Sequence, residues 1–174
     1  METIDNNVLE LKYLEQLLSH INLVQQNAIK IAKILLEEGK HNLAKNLLKN
    51  VASHDASKFV GIEWDYLKVY AYKKKLNKQE KTNLMIAIQH HCTTNPHHPE
   101  YWNGIHNMPE LYLIELTCDW RARAIEFGTD LRDWIHEHAF NRYNFNEHDH
   151  VYGIINKYLS ILCNKQFAQL SNNK

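Results

Sequence analysis

Glycine and proline are scarce in this 174-residue chain, at five and three residues. Domains built from many short strands punctuate them with these two residues, and the apolar–polar alternation of a half-buried strand is almost missing too. A β-sandwich or barrel is therefore not expected. Cysteine is equally sparse: Cys92, Cys118 and Cys163 are scattered and lack CxxC spacing, which suits reduced thiols better than a disulfide framework. Charge of one sign is absent, since 20 basic and 20 acidic residues give a formal net charge of zero. No extended nucleic-acid surface is expected from that balance, although a local pocket for a small phosphate remains compatible with it. No apolar run approaches the roughly 18 uncharged residues of a membrane span. The opening METIDNNVLELK has no basic segment followed by an apolar one, so no signal peptide is expected and the chain reads as cytoplasmic.

What is present is helical periodicity. Leu14, Leu17, Leu18, Ile21, Val24, Ala28, Ile31 and Leu35 fall at helical spacing and predict a helix over about 8–38 that Gly39 closes. Leu43, Leu47, Leu48 and Val51 predict a second over 40–52, broken at Ser53-His54-Asp55 and followed by a short helix. Further helices are predicted over 63–75, with Trp64, Leu67, Tyr70 and Ala71 inward, and over 78–91, with Leu84, Ile88 and His91 on one side. Residues 92–107, CTTNPHHPEYWNGIHN, form the one long irregular stretch. Pro109 suits the first turn of a helix reaching Phe127, and segments over 129–140 and 147–168 complete the chain. The reading is an all-α helical bundle forming a single domain over 1–174, with its core in about 8–168. Hydrophobic residues at 44% are enough for such a core at this length.

Histidine is in excess. Six of the 12 histidines lie between His54 and His106, and imidazole is the commonest protein metal ligand. His136, His138, His148 and His150 read as surface residues. The central feature is His54-Asp55 in SHDASKF. Neighbours on a helix diverge by about 100°, but at a helix end both side chains can reach one metal. His97-His98 in NPHHPEYW follow His90-His91 at a helix end, and histidines packed so closely are unfavourable unless a cation organises their neutral forms. The helix register favours His91 as the inward member of its pair, and a one-residue slip would make it His90. His20 shares the stripe of Leu17 and Val24, as a satisfied core residue or as a ligand. Asp119, in LTCDWRARA, interrupts an apolar helix face and needs a partner, either a metal or Arg123 four residues on. Glu63 reads as solvated helix charge, with acid–base service as its other reading. Trp64, Tyr101, Trp102 and Trp120 read as packing, with base stacking as the alternative.

The ordered set is thus His20, His54, Asp55, His91, His97, His98 and Asp119. Such N/O donors suit divalent Fe, Mn, Zn, Ni or Co, and seven exceed the four of a structural zinc, which leaves room for two ions bridged by a carboxylate.

This order resembles the HD superfamily of metal-dependent phosphohydrolases, whose first His, His-Asp doublet and later Asp correspond to His20, His54, Asp55 and Asp119. HDASK is similar to that superfamily's HD-x-x-K segment, which implies that Lys58 faces a substrate phosphate. His91, His97 and His98 resemble the extra ligands of its two-metal branches, the cyclic-dinucleotide phosphodiesterases and the diiron oxygenases. EYWNGIHNMP stands where the former carry DG-x-GYP. More closely, HD-x-SK with HHPEYW and a DW helix looks like a small family of prokaryotic and viral proteins of about this length, whose motif brings no established substrate. The resemblance implies an HD-type helical domain and a phosphohydrolase for a nucleotide or related phosphate ester, with Asp55 and Lys58 as catalytic residues. A diiron oxygenase and a metal-binding, non-enzymatic regulator are the alternatives it leaves. The oligomeric state is not readable from the sequence.

Overall fold

In the computed structural model, which describes residues 6–72 and 75–163, the chain is all-helical, and no strand occurs among the described residues. The helices are α1 (Asn6–Glu37), α2 (His41–Val51), α3 (Gly61–Tyr72), α4 (Lys78–Thr94), α5 (Glu110–Phe127), α6 (131–143) and α7 (His150–Cys163). No helix among them is long and apolar enough to cross a membrane. The packing of Tyr70 and Ala71 and the expected reach of the last helix to 168 lie outside the described residues.

α1 and α5 are the two spines. α1 packs on α2 and α5, and α5 also packs on α2 and α7. One apolar cluster joins Val24, Ala28, Ile31 and Leu35 of α1 to Leu47 and Val51 of α2, Ile114, Cys118 and Ala122 of α5, and Tyr158 of α7. A second lies across α5, where Leu113, Leu116, Trp120 and Ala124 meet Leu131, Ile135, Ile155 and Leu159. Because α5 carries apolar residues toward both clusters, its middle is enclosed on all sides, as expected for a helix with no solvated stripe. Residues 113–120 are all buried, including the polar Glu115, Thr117 and Asp119. Thr117 returns its hydroxyl to the Leu113 carbonyl at 2.7 Å, so the two carboxylates are the groups that require a partner.

Several boundaries follow local chemistry. Gly39 and Gly128 end α1 and α5 at positive φ, +74° and +64°, where a side chain would be strained. Asn77 and Glu80 form a reciprocal capping box at the start of α4. That helix runs three residues past its expected end, to Thr94, and the irregular stretch after it contains two 3-10 turns, Pro99–Trp102 and Ile105–Asn107. In α6 a π turn, Ile135–Ala139, separates two α-helical pieces and keeps Ile135 and Ala139 both inward. The inward set predicted for α1, α2 and α4 is too broad: Leu18, Leu48 and Ile88 are exposed. Each neighbours a true core residue, Leu17, Leu47 or Ala87, and the next position on a helix is rotated by about 100°.

Leu47 and Leu48 therefore make a sharp stability test. Leu47→Ala should cost about 2–5 kcal/mol of unfolding free energy, and Leu48→Ala within about 0.5 kcal/mol, read from urea unfolding followed by circular dichroism.

Candidate metal centre

The site forms where α1, the turn after α2, the end of α4, the following loop and α5 converge. α2 stops at Val51, and Ser53–Asp55 turn the chain before the 3-10 helix Ala56–Phe59. Asp55 adopts a left-handed conformation, φ +59°, which costs a residue other than glycine about 1–2 kcal/mol and is best tolerated by Asp and Asn. That reversal lets two consecutive side chains, His54 and Asp55, face one interior point, which a regular helix forbids.

Asp55 is the hub and is almost wholly buried. Its Oδ1 lies 3.2 Å from His91 Nε2, 3.5 Å from His97 Nε2 and 3.8 Å from His54 Nε2. Its Oδ2 lies 3.6 Å from His20 Nε2 and accepts from Lys58 Nζ at 2.6 Å. Asp119 Oδ1 sits 3.0 Å from His20 Nε2. The rings of His97 and His54 are 4.2 Å apart between centroids, those of His97 and His98 4.3 Å, and those of His91 and His98 4.7 Å. All seven expected ligands thus come together, and His91 proves to be the inward member of its pair. His90 is turned half outward, and its ring meets the outer carboxylate Glu63 at 2.8 Å.

Three further carboxylates orient the rings from outside. His20 Nδ1 is 3.0 Å from Glu126 Oε1, His54 Nδ1 3.0 Å from Glu115 Oε1, and His91 Nδ1 2.7 Å from Glu63 Oε2. Glu115 also stands 3.8 Å from His97 Nδ1. A carboxylate only accepts, so each ring so held donates from Nδ1 and, when neutral, presents an Nε2 lone pair inward. Ser57 steadies Glu63 by donating to its Oε2 at 2.8 Å. None of these carboxylates figured among the expected ligands. Glu63, read as solvated helix charge, is completely buried instead, because α3 lays its first turn against the end of α4. Glu115 had a sequence signal, a lone charge within the apolar run LYLIELTC and four residues before Asp119. Glu126 had none. Nor does Arg123 serve Asp119: it donates to Glu126 at 2.9 Å. His136, His138, His148 and His150 are exposed, as expected.

Electrostatics follow the geometry. Burial works to raise the Asp55 and Asp119 carboxyls, but Lys58 and the histidines around Asp55, and His20, His54 and His97 around Asp119, hold both well below the usual range. Burial works to lower His20 and His91, and is outweighed by Asp119 and Glu126 for the first and by Asp55 and Glu63 for the second, so both are raised. His97 and His98 are lowered by burial, and for His98 the neighbouring His97 and His91 add to it and push it down to about 2. The inner pair of histidines is therefore neutral, the form that binds a metal.

His20 Nε2, His54 Nε2, His91 Nε2, His97 Nε2, both ring nitrogens of His98, Asp55 Oδ1 and Asp119 Oδ1 are all buried without a hydrogen bond. Each such atom ordinarily costs about 1–3 kcal/mol, so a set facing one another fits a cation that accepts their lone pairs. Three overlapping groups can hold a metal ion: His20 with His54 and Asp55, His54 with His97 and Asp119, and His91 with His97 and His98. His98 also lies beside Cys92 and Glu100, but burial pushes the Cys92 thiol up to about 11 and keeps it protonated.

Two recesses open beside the cluster. A cleft of about 730 Å³ has Tyr13, Leu17, Leu67 and Phe127 as apolar wall and His20, Lys58 and Arg123 as polar edge. A recess of about 250 Å³ reaches His98 and Asp119 from the other side of Arg123, between Trp120, Trp134 and Tyr143. Trp120 is mostly core and packs edge-to-face on Trp134 at 5.3 Å.

Residues 9–161 match a family described as a family of unknown function (DUF5662). No curated protein and no solved structure matches the chain.

The outer carboxylates give a direct test of the ligand assignment. Glu63→Ala or Glu115→Ala should weaken metal binding by about 10–100-fold, measured by competition with a chromophoric chelator. Unchanged affinity in both would remove the orienting role.

Proposed function

The chain belongs to the DUF5662 family, and from its own site we propose that it is a metal-dependent phosphohydrolase of the HD type, acting on a nucleotide or related phosphate ester. The observation that carries this reading is the ring of buried donor atoms left without hydrogen bonds around Asp55, with an ammonium group at its edge.

His20, His54, Asp55 and Asp119 would hold one divalent ion and His91, His97 and His98 a second, with Asp55 between them. Asp55 stands between the two groups, with Oδ2 turned toward His20 and Oδ1 toward His91, His97 and, at 3.8 Å, His54. N/O donors without thiolate suit Fe, Mn, Zn, Ni or Co. Such ions supply Lewis acidity toward a phosphoryl oxygen and bring water toward ionisation near neutral pH.

The chain's own residues account for the rest. Lys58 touches Asp55 and lines the larger cleft, so its ammonium lies between ligand and substrate and would neutralise charge that grows on the phosphate. Glu63, Glu115 and Glu126 fix the rings that surround the ions. The apolar wall of the cleft would accept the organic part of an ester.

Protein purified without chelator should carry about two transition-metal ions per chain, and His97→Ala/His98→Ala about one. Asp55→Asn should lose both metal and phosphate release. Lys58→Ala should keep the metal and lose roughly 100-fold in turnover. Bound iron with an O₂-dependent spectrum and no phosphate release would overturn this reading in favour of the oxygenase. Metal-loaded protein that turns over no substrate in a broad screen would favour the regulator.

A further inference from the structure

α1 is apolar on two faces, and only one of them is spent on the core. Leu17, Val24, Ala28, Ile31 and Leu35 point inward, with His20 toward the metal centre. Roughly 120° round the helix, Leu11, Leu18, Ile29 and Leu36 stand in solvent, at 58%, 56%, 45% and 46% exposure. At 3.6 residues per turn these four fall within about 20° of one line along the helix, with Asn22 and Gln25 between them. A single exposed leucine needs no explanation, but four large aliphatic residues aligned over about 37 Å of helix form a stripe, apolar toward both ends and polar at its centre.

We propose that this stripe is a homodimer interface, in which α1 packs antiparallel against α1 of a second copy about a two-fold axis at its midpoint. The pattern is symmetric about that midpoint. Reversing the helix about it sets Leu11 against Leu36, Leu18 against Ile29 and Asn22 against Gln25, so every apolar residue meets an apolar one and every amide an amide. A two-fold interface requires this self-complementarity, since residue i must accept residue j and the reverse. Gln25 donates Nε2 to the Val51 carbonyl at 3.1 Å, which fixes its amide and leaves Oε1 to accept from Asn22 of the second copy.

Charge selects the direction. Glu15 and Lys33 lie on the same shoulder of the stripe, and neither takes part in an ion pair among the described residues. Antiparallel packing brings Glu15 of one copy beside Lys33 of the other, twice. Parallel packing about an axis along the helices would place the same shoulder of the two copies on opposite flanks and leave Glu15 and Lys33 without this pairing. Glu15 also lines the mouth of the larger cleft, so the second copy would stand at the entrance to the site.

A face about 37 Å long and one helix wide is near the lower limit for a specific interface, so the dimer should form reversibly. Sedimentation velocity at about 1–200 µM tests it. Wild-type protein should pass from the monomer mass of 20.6 kDa to twice that value as concentration rises. Leu18→Glu/Ile29→Glu should remain monomeric throughout with an unchanged thermal melt, because both residues are exposed in the monomer. Glu15→Lys and Lys33→Glu should each weaken the dimer about 10-fold, and the double exchange should restore it. A wild-type monomer at about 200 µM, or a dimer that survives Leu18→Glu/Ile29→Glu, would overturn the proposal. A double exchange no better than either single variant would overturn the antiparallel register.

Discussion

The structure depends on keeping one carboxylate, that of Asp55, ionised where almost no water reaches it. An unpaired charge in such a place would cost several kcal/mol and would neutralise instead. Lys58 on one side and the facing imidazoles on the other keep it charged. The groups that do so come from four separate parts of the chain: α1 through His20, the turn after α2 through His54 and Lys58, α4 through His91, and the loop beyond it through His97. Asp55 thus ties elements distant in sequence to one point, at a position where the backbone must adopt a left-handed conformation to present it.

α5 makes this arrangement stable. Two of its faces are apolar and complete the two cores, and the third carries Glu115, Asp119 and Glu126 to the histidines. Buried charges are tolerated when each is paired, and here each outer carboxylate meets an imidazole while each inner donor faces its neighbours. The apolar packing of α5 holds its polar face in place beside the cores. Precision in such a site comes from supports of this kind as much as from the ligands themselves.

The surroundings of the centre are asymmetric. Lys58 and Arg123 give the larger cleft a cationic edge over an aliphatic wall, whereas the smaller recess sets Arg123 and Arg142 among aromatic rings. His98 lies toward the aromatic side and differs from the other rings, since both of its nitrogens are bare.

Much of this was legible in the sequence. Helical periodicity and the shortage of glycine and proline determined the all-α architecture, because burial of an amphipathic face is a local pattern repeated every 3.6 residues. Residue type and order also picked out the side chains that the fold gathers around Asp55, since few side chains can bind a metal and His54-Asp55, His97-His98 and Asp119 stand out among their neighbours. Tertiary structure alone decided the rest. It chose His91 over His90, turned Leu18, Leu48 and Ile88 outward, gave Arg123 to Glu126 rather than to Asp119, and buried Glu63. These outcomes hang on rotations of about 100° and on which helix end abuts which. A glutamate at the first turn of α3 has the same local signature whether it meets water or an imidazole, and only the packing of α3 on α4 supplies the imidazole.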